Sequence, residues 1–297
     1  MKLEPLCFFI DHLGYSDAAR RIVDDTSASD FLGKIKKRAT QFGLTNSRIV
    51  EQQYRIQEKN GGFNIYKYYS IDYRFVSDSI CVIFKPKNVS PLPEEIRLMH
   101  SANSLLVAAI RIVDYYASCV ADGFFLRGGV SNEYAHSDQN YLIGKGVVEA
   151  HVLESKFAKH PRIILSKKIT DNVGFLGKIQ ELQSLMYNES IIDIDDDGFY
   201  FINIHKFLLA FCNTTNNTMK NAAPIHIINN TKKLESYLNN EENSLNQQFE
   251  RISSDTSIDE NLKISIFSKY SWITKKRNQA IKDTEFSRFH LIDQFQR

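Results

Sequence analysis

The chain has 297 residues, 43% of them hydrophobic and 24% charged, with a formal net charge of +2. That length buries one large core or two modest ones, and nothing in the charge balance calls for a nucleic-acid or membrane partner. Cys7, Cys81, Cys119 and Cys212 stand far apart with no CxxC pairing, which argues against a zinc site and for buried thiols in a reducing compartment.

Residues 3–10 (LEPLCFFI) read as a short buried strand that begins the fold, and not as a signal peptide. Asp11 stands at its end, and Gly14 allows a tight turn into a helix. Residues 16–42 hold two helical stretches, the second with Phe31, Leu32, Ile35 and Phe42 on one side. An Asn60-Gly61-Gly62 turn precedes a β-rich run, YKYYSIDYRFVSDSICVIFKP, whose polar Ser77-Asp78-Ser79 suits a hairpin tip. Pro91 and Pro93 open a helix over 94–121 with Ile96, Met99, Leu106, Ile110 and Val113 toward the core. A strand follows in FFLRGGVSNEYAH. Gly144 and Gly146 then open a helix to Lys159, which Pro161 breaks before a short strand, RIILS. The order β-αα-ββ-α-β-α-β predicts a mixed sheet with helices packed on it.

The character of the chain changes beyond 170–190. Residues 192–206 read as a hairpin around Asp197-Gly198, and 225–288 as helices with exposed Lys, Asn and Glu. The stretches NTTNNTMKN (213–221) and NNEENSLNQQ (239–248) read as loops or helix ends. No run approaches the roughly 20 apolar residues that span a membrane.

Singly, Asp11 and Asp78 are ordinary strand-end and turn residues. Together they are a carboxylate pair on neighbouring strands, able to hold divalent cations that activate a hydroxyl and bind a triphosphate. Their hard oxygen donors point to Mg²⁺ or Mn²⁺ in preference to zinc.

Asp11 in FIDHLGYS, Asp78 in FVSDSI, RGGV at 127–130 and IGKGVVEAHVLES at 143–155 resemble the catalytic domain of class III nucleotidyl cyclases. The run GKGVVEAHVLESKFAKHPRIILS (144–166) and KYSWITKKRN (269–278) are similar to segments of the bacterial pyrimidine cyclases of the Pycsar anti-phage system. The resemblance implies an α+β, ferredoxin-like cyclase domain over 1–206 and a helical C-terminal extension over 207–297. It implies two divalent cations on Asp11, Asp78 and the backbone carbonyl of His12. Leu13, Gly14 and Tyr15 would offer backbone N–H groups to the triphosphate, and Arg127 would contact phosphate. It further implies a bacterial cytoplasmic enzyme, a homodimer with composite active sites, and a separate effector protein that binds the cyclic product.

Two departures bear on substrate. Where purine-selective members carry a base-reading lysine this chain has Arg74, and where they carry its acidic partner it has Lys145. Both only donate hydrogen bonds, which suits the O2 and O4 acceptors of uracil and ranks UTP above CTP, and both above purines. The family's helical asparagine and arginine are replaced by Val148 and Val152. That leaves open a nucleotide-binding relative without turnover, alongside an active cyclase and a palm-like polymerase or nuclease.

Overall fold

The computed structural model describes residues 3–15, 19–20, 22–45, 47–59, 62–88, 91–138, 141–213 and 224–290. Asn60 and Gly61 of the expected turn, and 214–221 of the polar stretch, lie outside the described residues. A seven-stranded mixed sheet organises the molecule. In spatial order its strands are β2 (Tyr69–Val76), β3 (Ser79–Pro86), β1 (Leu6–Leu13), β4 (Phe125–Ser131), β7 (Ile163–Leu165), β9 (Tyr200–Ile202) and β8 (Ile192–Ile194). Among the described residues only β4 and β7 pair in parallel. A small separate hairpin joins β5 (His136–Ser137) to β6 (Leu142–Ile143).

The two-residue period of β1 sorts its side chains. Phe8, Ile10 and His12 face α4 (Glu94–Ala121), while Cys7, Phe9 and Asp11 face the opposite side. The register Asp11↔Ser79 and Asp11↔Arg127 carries that division across the sheet. One face thus builds the main core around α4. The other face carries α5 (Lys145–Val152) over Cys7, Cys81, Ile83 and Ala150. α4 is long and apolar enough to cross a membrane by composition, yet 72% of that apolar stretch is buried inside the protein; it is the central core helix.

Several expectations need correction. β1 extends to Leu13, so Asp11 lies inside the strand and not at its end. Residues 65–68 form a helical turn, α3 (Ile65–Tyr68), and not strand, because the Asn64 side chain accepts the N–H of Tyr66 and caps it. In α1 (Asp25–Thr45) Phe31 and Phe42 are buried but Leu32 is half exposed. α2 (Arg48–Lys59), which composition did not announce, buries no residue. α5 stops at Val152 and continues as one π turn, Leu153–Phe157.

No new core begins at 170–190. There α6 (Lys167–Thr170) leads into α7 (Val173–Tyr187), whose Phe175 and Ile179 join the α4 core. The remaining helices, α8 (Ile204–Cys212), α9 (Pro224–Ser254), α10 (Glu260–Ile281) and a 3₁₀ turn (Glu285–Phe289), belong to the same cluster, which runs from Leu3 to Phe286. The helical C-terminal region therefore packs on the sheet domain as part of one core.

Candidate active site

The β2–β3 hairpin turns on Ser77 and Asp78, with Ser77 at φ +56°. His12 fastens this turn to β1. Its backbone N–H donates to the Asp78 carbonyl at 3.2 Å, and its ring Nδ1 contacts the same oxygen. A carbonyl only accepts, so Nδ1 carries the proton, and Nε2 accepts from the Tyr115 hydroxyl at 2.7 Å. Burial, with a further push from Arg38, depresses His12 to about 4, so the imidazole is neutral and acts as a strut. In an extended strand the C=O of a residue points to the same side as its N–H, so the His12 carbonyl also faces the Asp78 turn.

Asp11 shares the other face with Arg127, directly across in β4. Arg127 Nη2 lies 3.3 Å from Asp11 Oδ2 and 2.5 Å from Glu154 Oε1. Arg127 and Asp11 are 20% and 18% exposed, whereas Glu154 is only 5% exposed. Burial pushes Asp11 up to about 6, reinforced by Glu154 and then Asp78 and opposed by Arg127. Two carboxylates therefore share one guanidinium, with Asp78 adding to the negative charge around Asp11.

Gly129 explains how Glu154 arrives there. A Cβ on Gly129 would sit 2.4 Å from the Ala150 carbonyl and 2.5 Å from Leu153 Cβ. Only glycine lets α5 approach β4 so closely, and the π turn that follows aims Glu154 back at Arg127. Gly129→Ala is expected to push α5 off the sheet. It should lower the melting temperature by several degrees, a cost of about 1–3 kcal/mol; an unchanged melting curve would show that the contact yields freely.

The other expected residues are only partly brought together. The N–H of Leu13 points to the β4 side, opposite that of His12, and is used in the sheet ladder with Phe125. That leaves Gly14, at φ +93° with open space where a Cβ would be, and Tyr15 as the turn donors. Arg74 lies on β2, two strands from Asp11. Its guanidinium donates to the carbonyls of Asp138, at 3.0 Å, and Tyr73, at 2.7 Å. Lys145 is exposed at the start of α5. Val148 is 64% exposed and Val152 half-buried on the same helix, and Glu149 accepts from the Ser131 hydroxyl.

Two residues escaped the sequence reading. Glu154 lies in the quoted VLES run, but its role needs the π turn. Lys269 opens the quoted KYSW run, and its electrostatic neighbours are Arg127 and Asp11, more than 140 positions away. Nothing local to either residue announces this.

The oxygen donor set of Asp11, Asp78 and the His12 carbonyl is hard, and the carboxylates repel one another, which a divalent cation would relieve. That set fits Mg²⁺ or Mn²⁺. Among the described residues no group of three or more His, Cys, Asp or Glu side chains is arranged to hold a metal ion, so such a site rests on two carboxylates, backbone and the substrate itself. A separate polar cleft of about 450 Å³ lies between the end of α7 and β8, lined by Gln183, Asp193 and Tyr200, and includes none of these carboxylates. No protein-family model matches the chain, and no curated protein matches it.

Proposed function

We propose that the protein is a pyrimidine nucleotide cyclase that converts UTP to 3′,5′-cyclic UMP and pyrophosphate and signals in anti-phage defence. The observation that carries this reading is the juxtaposition of Asp11, the Asp78 turn and Arg127 at one end of three neighbouring strands. The strand order β2-β3-β1-β4 in a β-α-β-β-α-β chain order supports it, since that is the ferredoxin-like arrangement of the class III cyclases it resembles.

In this reading Asp11, Asp78 and the His12 carbonyl would hold divalent cations. When bound, these lower the pKa of the ribose 3′-hydroxyl and neutralise phosphate charge. The 3′-hydroxyl gives up its proton to water, and its oxygen forms a bond to the α-phosphorus as the bond to pyrophosphate breaks. The chain's own groups orient this step. Gly14 and Tyr15 offer N–H donors to the triphosphate, and Arg127 exchanges its carboxylate contacts for phosphate oxygens as charge develops on the leaving group. His12, neutral and held by Tyr115, keeps the Asp78 turn against β1.

A homodimer with composite sites is part of the proposal. Arg74 and Lys145 do not converge on Asp11 within one chain, so reading the base falls to a second copy's Arg74 and Lys145. Val76, Ile143 and Val148 leave exposed apolar surface around the Asp11 face, as an interface needs. Incubation with each nucleoside triphosphate and Mn²⁺, with products separated by chromatography, tests the function: cyclic UMP should dominate. Arg74→Ala should raise the KM for UTP about tenfold and erode the preference over CTP. A dimeric protein that turns over no pyrimidine triphosphate contradicts the proposal. Val148 and Val152, in place of the family's asparagine and arginine, favour a second reading in which nucleotide binds without turnover; tight binding with no product would select it.

A further inference from the structure

We infer that Lys269, carried by the C-terminal helix α10, binds the pyrophosphate end of the nucleoside triphosphate, so that the helical extension completes the active site. The inference rests on the cyclase reading for the identity of the ligand, and on the following geometry for the residue.

Three anchors fix where α10 lies. Tyr270 is buried, with its ring 5.5 Å from that of Phe125, and Phe125 pairs with Leu13, two residues beyond Asp11. Trp272 donates its indole N–H to Asp195 at 2.8 Å and stacks on His160. Lys276 lies 2.8 Å from Asp195, and its ammonium sits over the Phe201 ring of β9. Lys269, Trp272 and Lys276 follow helical spacing and form one stripe. That stripe runs from β9 at Lys276 to the Asp11–Arg127 pair at Lys269.

Lys276 is therefore consumed by structure, while Lys269 is not. Lys269 is half-buried and makes no hydrogen bond or ion pair among the described residues. A half-buried ammonium without a partner is costly to keep. Burial and the neighbouring Arg127 both push its pKa down, and Asp11 only partly opposes them. Arg127, by contrast, is already held by Glu154 and Asp11. An incoming anion thus meets one engaged cation and one unengaged cation. Asp11, Asp78 and Glu154 outnumber the two cations, so the site suits a polyphosphate that arrives with divalent metal and not a bare monoanion. A lysine aimed at the leaving pyrophosphate stabilises the charge that grows there.

The test compares wild type, Lys269→Ala and Lys269→Arg by calorimetry. The probes are an α,β-methylene UTP analogue with Mn²⁺ and UMP with Mn²⁺, alongside unliganded melting temperatures. Lys269→Ala should weaken binding of the analogue about 10- to 100-fold, the worth of one charge-assisted hydrogen bond. UMP binding should be unchanged, Lys269→Arg should retain most of the affinity, and the unliganded melting temperature should hold or rise. Equal binding of the analogue by wild type and Lys269→Ala overturns the assignment and leaves the cyclase reading standing. So does a drop in unliganded melting temperature with equal losses for analogue and UMP, which marks a structural counter-ion of Asp11. If wild type binds no analogue at all, the cyclase reading falls and takes the assignment with it.

Discussion

Replacing Asp78 with alanine should reduce cyclic nucleotide formation by about a thousandfold or more, an increase of at least ~4 kcal/mol in the barrier. The carboxylate is half-buried on a hairpin turn whose backbone, not its side chain, is tied to His12. Alanine therefore leaves the fold intact while removing half of the carboxylate pair, and the melting temperature should barely move. Asp11→Asn gives a companion result. It should abolish turnover equally, but it also removes a half-buried charge that Glu154 and Asp78 repel. The unliganded variant should therefore melt no lower than wild type, and a rise of a few degrees is expected. Gain in stability with loss of activity is the signature of a site held in electrostatic tension. Retention of near wild-type turnover by Asp78→Ala would remove the basis of the two-carboxylate reading.

The largest stability effect is expected well away from the site. Glu241 of α9 is fully buried, as is Arg277 of α10. Glu241 contacts His205 of α8 at 2.9 and 3.0 Å and accepts from the Tyr237 hydroxyl at 2.7 Å. Arg277 lies 3.3 Å from Glu241 and 3.0 Å from Glu242. This cluster locks α8, α9 and α10 together and so sets the angle at which α10 reaches the sheet. Arg277→Met removes the guanidinium from a fully buried carboxylate, leaving it only His205 and Tyr237, and should cost about 3–5 kcal/mol, a fall in melting temperature on the order of 10 °C. The double variant Arg277→Met, Glu241→Leu should recover part of that loss, because the fully buried carboxylate is gone, while His205 and Tyr237 lose their acceptor and the partly exposed Glu242 turns to water. A double variant as unstable as the sum of the singles would show that packing, not charge pairing, dominates.

The same cluster fixes a pH dependence. Burial pushes the Glu241 carboxyl up, but His205 and Arg277, aided by Tyr237, outweigh it and hold it below its ordinary value. A carboxyl depressed in the folded state stabilises above its unfolded value, near 4.3, and loses that contribution as pH falls through the folded value. Acid titration of stability should therefore show a steep decline below about pH 4 in wild type. The decline should be shallower in the double variant.

Much of the frame was legible in the sequence. The short apolar run LEPLCFFI determined a buried strand, and VSDSICVIF determined a hairpin tip at Asp78, because short apolar runs and turn chemistry are local properties. The C-terminal third announced itself as helical. What the sequence could not decide was which distant groups meet. The tail of β1 beyond Ile10 looked like a turn because Asp11 and His12 are polar, but pairing with β4 on one side and the Asp78 turn on the other kept it extended. Glu154 reached Arg127 only because Gly129 admits α5 and a π turn redirects the side chain. Lys269 reached Asp11 only because Tyr270, Trp272 and Arg277 each found a separate buried partner. Local periodicity specifies which face of an element is apolar, but long-range packing and the pairing of buried charge select the partner that face meets, and those terms arise only once the chain has closed on itself.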